Sequence, residues 1–278
     1  MNALVASSWG TAHVVANRAP GTTNCFYFIQ DYEPYFYPRG ALYTLAEDTY
    51  RFGFVNIALG EMVASNLVHE LSVVPDITVP FACDTTEYKL LPNDMSSAAR
   101  SGVVYYAKRN VDRRGYLLAK LGLEDFHRRH PEQEIHVFGD KALGWTIPVT
   151  NHGSLSPSEL NLLYNRTIAS VALSFTNITL VAEELMAAGN VPIMNDHPFA
   201  RADLPSPHAI WVPPTPAAIA SGLADAVNSR DIAGRARLMA EAKRTDWRAP
   251  ASLVVQEIER HCYAPSPHRV PLDMGGAP

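Results

Sequence analysis

No stretch of the 278 residues runs to about 18 unbroken apolar positions, so no transmembrane helix is expected. The opening MNALVASSWG lacks a basic region followed by a long apolar run, so no signal peptide is expected either. Cysteine is scarce: Cys25, Cys83 and Cys262 are odd in number, widely spaced and without a CxxC pair. That argues against a disulfide framework or a zinc site and for reduced thiols in a cytoplasmic protein. The histidines are scattered without HExxH, and there is no DxD, so no metal and no cofactor is assigned. Runs of Lys or Arg are also missing and the net charge is −5, which argues against nucleic acid as a partner.

What is present suits a packed core. Hydrophobic residues make up 47% of the chain and charged residues 18%, and the length allows one large or two ordinary domains. Short runs rich in β-branched and aromatic residues alternate with helical spacing. ALVASS (3–8), NCFYFI (24–29), FVNIAL (54–59) and ITVPFA (77–82) read as strands, with helices over 41–52 and 61–71. After Asp94 the alternation restarts. Strands are expected at 102–107, 134–139, 169–174, 190–195 and 209–213, with helices over 114–130, 156–166, 179–188, 216–227, 231–244 and 249–262. The fold class is therefore α/β, with parallel sheets covered by helices on both faces. LLPNDMSSAARSG (90–102) reads as a linker, which gives a first domain over 1–95 and a second over 96–248. A crossing helix (249–263) and a Pro/Gly-rich tail (264–278) follow.

Open α/β sheets bind ligands beyond the carboxyl ends of their strands, so strand ends are where function is sought. In YYAKRNVDRRG (105–115), Lys108, Arg109, Arg113 and Arg114 crowd one such loop, as a diphosphate site requires. A solvated basic loop would read the same. In VALSFTNITLVAEELMAAGNVPIMND (171–196), the loop Phe175-Thr176-Asn177 leads into a helix carrying Glu183 and Glu184 and stopped by Gly189. Adjacent acids on a helix point about 100° apart, so at most one of the two can serve the site and the other is expected on a solvated face. Near the start, FYFIQDYEPYFYPRG (26–40) interleaves seven Phe or Tyr with Gln30, Asp31, Glu33 and Arg39. Acids among rings need polar partners, and the stretch reads as a strand to Ile29, a polar-aromatic loop at a cleft, and a helix from about Pro38.

Taken together these stretches resemble GT-B-fold glycosyltransferases of the large family 4, which implies two Rossmann-like domains. Glu184-Leu-Met-Ala-Ala-Gly189 before Val191-Pro192-Ile193 resembles the family's EAMACG-x-PV signature, which places the ribose contact on Glu184 rather than Glu183. The family's basic pair maps onto Lys108 and Arg113, as ligands of the donor diphosphate. His152, Gly153 and Leu155 match its base-covering loop, and Thr245-Asp246-Trp247 its return to the first domain. Thr176 stands where the family usually has a second Glu; with Asn177 it is assigned to the donor. Residues 26–54 are similar to bacterial surface-glycan rhamnosyltransferases. On that resemblance Gln30, Asp31 and Glu33 are the catalytic candidates, and Tyr32, Tyr35, Tyr37 and Arg39 the acceptor candidates. The family's first Gly-rich loop has no counterpart here, so the first domain is expected to be incomplete. The chain is then a fragment, starts at a misassigned residue or is a shortened relative.

The expected activity is transfer of a sugar, with rhamnose from dTDP-rhamnose as the candidate, from a nucleoside-diphosphate sugar to a glycan or lipid-linked acceptor. The expected location is the cytoplasm, with peripheral association at the inner membrane face left open. Two alternatives stand beside it: a non-catalytic nucleotide-sugar or glycan-binding remnant, and a GT-B nucleotide-sugar 2-epimerase, against which the 26–54 match speaks.

Overall fold

The computed structural model describes residues 3–92, 100–178, 180–242 and 246–263. Two all-parallel sheets form. The first is built from β1 (Ala3–Ala6), α1 (Trp9–Arg18), β2 (Asn24–Ile29), α2 (Ala41–Asp48), β3 (Val55–Leu59), α3 (Glu61–Leu71) and β4 (Ile77–Val79), in the order β1-β2-β3-β4. The second opens with β5 (Val103–Ala107), α4 (Tyr116–Arg129), β6 (Ile135–Gly139), β7 (Thr150–Gly153), α5 (Pro157–Arg166) and β8 (Ala169–Val171). It continues through α6 (Leu180–Ala187), β9 (Val191–Asn195), α7 (Pro198–Asp203), β10 (Ile210–Val212), α8 (Pro216–Val227) and α9 (Ile232–Glu241). Its order is β10-β9-β8-β5-β6-β7. The chain thus winds outward from β5 in one direction, returns to β8, and winds outward in the other. The reversal between β5 and β8 is the switch point at which such sheets leave a crevice.

The local reasons are visible in the burial. Every residue of β3 and of β9 is buried, as expected of central parallel strands covered on both faces. β1, at a sheet edge, leaves Val5 49% exposed. Helix α5 starts with a reciprocal cap: Ser156 accepts from the Glu159 N–H while Glu159 accepts from the Ser156 N–H, with Pro157 in the first turn. After α6 the chain turns at Gly189 with φ +76°, where an added Cβ would lie 2.8 Å from the Ala236 carbonyl oxygen.

Three elements escaped the sequence reading: α1, β7 and the short α7. ALVASS is a strand only to Ala6; Ser8 then caps α1 by accepting from Thr11 N, and only Ala12 of that helix is buried, so its apolar stripe is too thin to read. Strand β7, TNHG, is a polar edge strand with no buried position. The loop after β2 is not uniformly open either. It holds a 3-10 turn over Glu33–Phe36, and α2 begins at Ala41 rather than near Pro38.

Helix α10 (Arg248–Tyr263) returns to the first sheet, where His261 meets the Phe26 ring edge-on at 5.7 Å. Asp246 and Trp247 precede it; Thr245 lies outside the described residues, as do 93–99 of the expected linker and the tail from 264. The described part of the linker is fixed to the second domain. Asn161 Oδ1 accepts from Lys89 N at 3.1 Å, and Asn165 Oδ1 from Leu91 N at 2.9 Å. Among the described residues no helix is long and apolar enough to cross a membrane.

The domains are also joined at Asp203, the last residue of α7. Its carboxylate accepts from the backbone N–H groups of Glu61 and Met62, the first turn of α3 in the other domain. Burial pushes this carboxyl up to about 7, the two N–H groups pull it back, and the charges of Glu61 and Glu183 push it further up. A side chain at Gly60 (φ +89°) would collide with this carboxylate and with the Phe81 ring, so the close approach requires glycine. Asp203→Ala leaves the α3 terminus uncapped and is expected to cost about 1–2 kcal/mol, read as a lower urea midpoint. An unchanged midpoint would show that the bond contributes nothing.

Candidate functional site

Two adjoining spaces open at the carboxyl ends of the strands. The smaller is a slot of about 280 Å³ over β5, β6 and α6. Its walls are aromatic. Tyr106 and Phe138 stack at 4.8 Å, and Tyr88, just ahead of the linker, stacks on Tyr164 at 6.1 Å. Leu155, Leu160 and Val181 fill the gaps between the rings. Gly139, at the end of β6 with φ +86°, leaves its corner bare, and a Cβ there would come within 2.6 Å of the Ala107 carbonyl oxygen. The polar groups are few: Lys108, Ser154 and Glu184. Burial pushes the Glu184 carboxyl up to about 7, against the Tyr164 hydroxyl, which pulls it down. Flat rings with a carboxylate at one end suit a base and the vicinal hydroxyls of a ribose.

The larger space is a cleft of about 710 Å³ between the domains. Tyr35, Phe36, Tyr37 and Pro38 line it from the first domain. Residues 110–113 with Gly115, Leu117, Leu118 and Phe175 line it from the second. Next to its lining residue Arg113, a set of bonds joins the loop after β2 to the loop after β8. Thr176 donates its hydroxyl to Asp31 Oδ1 at 2.6 Å, and its carbonyl accepts from Tyr32 N at 3.2 Å. Asn177 Nδ2 donates to the Gln30 carbonyl at 3.0 Å. Arg113 Nη1 reaches Asp31 Oδ1 at 3.4 Å, and its guanidinium lies 4.5 Å from the centre of the Phe36 ring. Arg114, one residue on, is half-buried and donates to Ser174 Oγ at 2.8 Å and Asn177 Oδ1 at 3.3 Å; desolvation lowers its pKa.

Several expected residues meet here. Asp31, Thr176, Asn177 and Arg113 are brought together, and Glu184 and Leu155 face the slot. Others are placed differently. Lys108 and Arg113 line different spaces: the Lys108 ammonium lies 5.2 Å above the Tyr106 ring at the slot, whereas Arg113, over Phe36, lines the cleft. Glu33 is buried, and its carboxylate accepts from Trp9 N at 2.5 Å and from the Tyr27 hydroxyl at 3.1 Å. It therefore holds the start of α1 instead of facing the cleft. Tyr32 is 0% exposed, stacked on Tyr50, and offers no ring face to a sugar. Tyr35 lines the cleft while its hydroxyl donates to Glu70; the Tyr37 hydroxyl accepts from the Trp9 indole. Arg39 lies over Tyr43, and it is Arg113, not Arg39, that pairs with Asp31.

Gln30 enters the network through its backbone. His152, on the unanticipated β7, pairs with His136 at 3.1 Å, and neither it nor Gly153 lines the slot. Glu183 is wholly buried, not on a solvated face. The loop from Phe175 toward α6 is described as far as Ile178. The slot rings Tyr88, Tyr106, Phe138 and Tyr164 were not singled out beforehand as binding residues. Tyr106 carried a signal, sitting one residue before the end of an apolar strand; Tyr88, just ahead of the linker, carried none.

A family profile described as "WsaF, N-terminal domain" matches residues 2–61. The O-antigen biosynthesis protein RfbC of Myxococcus xanthus is 28% identical over 265 residues, covering 91% of this chain and 20% of that protein. The chain thus spans about a fifth of the length of that curated relative. Among solved structures, sucrose-phosphate synthase from Thermosynechococcus elongatus superposes with a TM-score of 0.73 at 16% identity, over 93% of this chain and 73% of that one. HepE of Anabaena, in complex with UDP and glucose, gives 0.69 at 14% identity, over 93% and 77%. TarM gives 0.70 at 12% identity, over 94% and 55%. Two parallel Rossmann-like sheets facing each other across a cleft, and these superpositions, make the architecture of this chain the GT-B fold.

Proposed function

We propose that the chain is a glycosyltransferase that takes a sugar from a nucleoside-diphosphate donor, with dTDP-rhamnose as the candidate, and passes it to a glycan or lipid-linked acceptor. The observation that carries this reading is the aromatic slot with Glu184 at its side, opening at the same strand edge as the cleft where Asp31 and Arg113 meet. The solved HepE complex with UDP and glucose shares the fold, and the Myxococcus relative is described as an O-antigen biosynthesis protein; both fit a nucleotide-sugar donor and a surface-glycan product.

In this reading the base stacks in the slot and Glu184 accepts from the ribose hydroxyls. The diphosphate lies along the loop after β5, between Lys108 and Arg113. The acceptor enters from the side of Tyr35, Phe36 and Tyr37, whose faces suit sugar C–H surfaces. Its hydroxyl oxygen bonds to the anomeric carbon as the bond from that carbon to the β-phosphate oxygen breaks. The hydroxyl proton passes to Asp31, and the nucleoside diphosphate leaves with the electron pair, its charge met by Lys108 and Arg113. The exposed Leu117 at the cleft gives a lipid-linked acceptor an apolar lip. A nucleotide-sugar binder without turnover is the second reading, favoured by the Thr176 and Arg113 contacts that already occupy Asp31.

Purified protein given dTDP-, UDP- and GDP-sugars is expected to release nucleoside diphosphate in the presence of acceptor. Asp31→Asn should lower that rate by about 100-fold or more while nucleotide binding persists. Binding without release from any of the three donors would favour the second reading. Glu184 gives a pH signature. With its carboxyl raised to about 7 in the empty slot, it is largely protonated at pH 6 and charged at pH 8, and only the charged form accepts from both ribose hydroxyls. Affinity for a nucleoside, which has no phosphate titrating in this range, should therefore rise from pH 6 to pH 8. Glu184→Gln should weaken binding and flatten the profile; a wild-type profile that is already flat would contradict the assignment. Glu183→Ala is expected to act on stability instead, since that side chain is buried away from the slot lining.

A further inference from the structure

The loop after β5 carries four basic side chains, and the structure commits them unequally. Arg114 is half-buried and holds Ser174 and Asn177. The backbone of Arg109 is tied to Asp140. Lys108 rests on Tyr106 at the slot. Arg113 reaches the other domain, with its one hydrogen-bonding contact to Asp31 Oδ1 at 3.4 Å, longer than an ordinary hydrogen bond. The two side chains are 23% and 14% exposed, so water screens the pair and its contribution is small. The same Asp31 oxygen takes the shorter bond from Thr176, at 2.6 Å. Phe36 supports one face of the guanidinium at 4.5 Å, which holds Arg113 in the wall of the cleft whichever anion its N–H groups meet.

We propose that Arg113 exchanges partners on donor binding: Asp31 holds its guanidinium in the empty protein, and the diphosphate of the nucleotide takes it over. A diphosphate carries more charge than a carboxylate and can engage two N–H groups side by side, so the exchange runs toward the nucleotide. The consequence is an order of events. Asp31 loses its cationic partner only when a donor is seated, and its carboxylate is then available to an acceptor hydroxyl. Arg113 is thus a binding residue that also acts as a positioning residue for Asp31. This inference rests on the proposed donor reading, with the base in the slot and the diphosphate reaching Arg113 at the cleft wall.

The test inverts the usual sign of a mutation at a site residue. Removing the charge that competes for Arg113 should tighten nucleotide binding. In calorimetric titrations with dTDP, UDP and GDP, Asp31→Asn is expected to bind the preferred diphosphate up to about fivefold more tightly than wild type, the upper end for an incompletely buried ion pair. The matching nucleoside, which has no phosphate to meet Arg113, should show no gain. The gain should shrink at high salt and disappear when Asp31→Asn is placed in an Arg113→Ala background. Asp31→Ser, which keeps an acceptor for Thr176, is the second variant if Asp31→Asn does not fold. If the wild-type chain binds a diphosphate and neither variant binds it more tightly, the exchange is wrong while the donor reading stands. A gain that persists without Arg113, or extends to the nucleoside, also overturns it. A wild-type chain that binds none of the three diphosphates overturns the donor reading and the exchange together.

Discussion

A parallel strand rejoins its sheet only through a crossover, so all strands of each sheet end at one edge. In this protein the two edges face each other, and every polar contact of the candidate site depends on that arrangement. Gln30 and Asp31 follow β2, Lys108 to Arg114 follow β5, and Ser174 to Asn177 follow β8. Residues more than 140 positions apart, such as Asp31 and Thr176, become hydrogen-bonded neighbours because both lie just past a strand end. The switch point between β5 and β8 opens the crevice on one side of the facing edges, and the aromatic loop after β2 closes the other.

The same geometry explains what could be read from the sequence. β2, α3 and α8 were legible to the residue because each couples a clean apolar pattern to a sharp stop: Gln30 after NCFYFI, Ser72 in a left-handed turn after Leu71, and Thr215 with Pro216 before α8. Helix α1 and strand β7 bury little and carry no such pattern. In the site, Glu184 was legible because a local motif fixes its phase on a short helix ended by glycine. The partners of Lys108 and Arg113 were not. Where a long basic side chain points is decided by groups elsewhere in the chain, here Tyr106 for one and the Asp31 and Phe36 pair for the other. The acids among the rings show the same limit. Composition said that Asp31 and Glu33 need polar partners, and both have them, but only the folded chain separates an acid at the cleft from one that holds a helix start.

Polar burial in this molecule therefore serves two ends. Arg100 fans its guanidinium over the carbonyls of Tyr164, Thr167 and Ala188 and the side chain of Asn165, and Asn190 meets the first two of these carbonyls, so the turns around α5 and α6 are fixed without help from a ligand. At the strand edge Arg113 is held more loosely, through a 3.4 Å contact to Asp31 with both side chains partly exposed, where a ligand can compete for it.

The bonds from Asn161 and Asn165 to the linker have a mechanical reading. They make Lys89 and Leu91 part of the second domain, and the Tyr88 ring, stacked on Tyr164, belongs there too. On this connection, a rotation of one domain against the other must be absorbed between the end of β4 at Val79 and Tyr88. On the other it falls ahead of α10, which already packs on the first sheet. The segment from Val79 ends at Tyr88, so any twist it takes up would be felt at a ring in the wall of the slot.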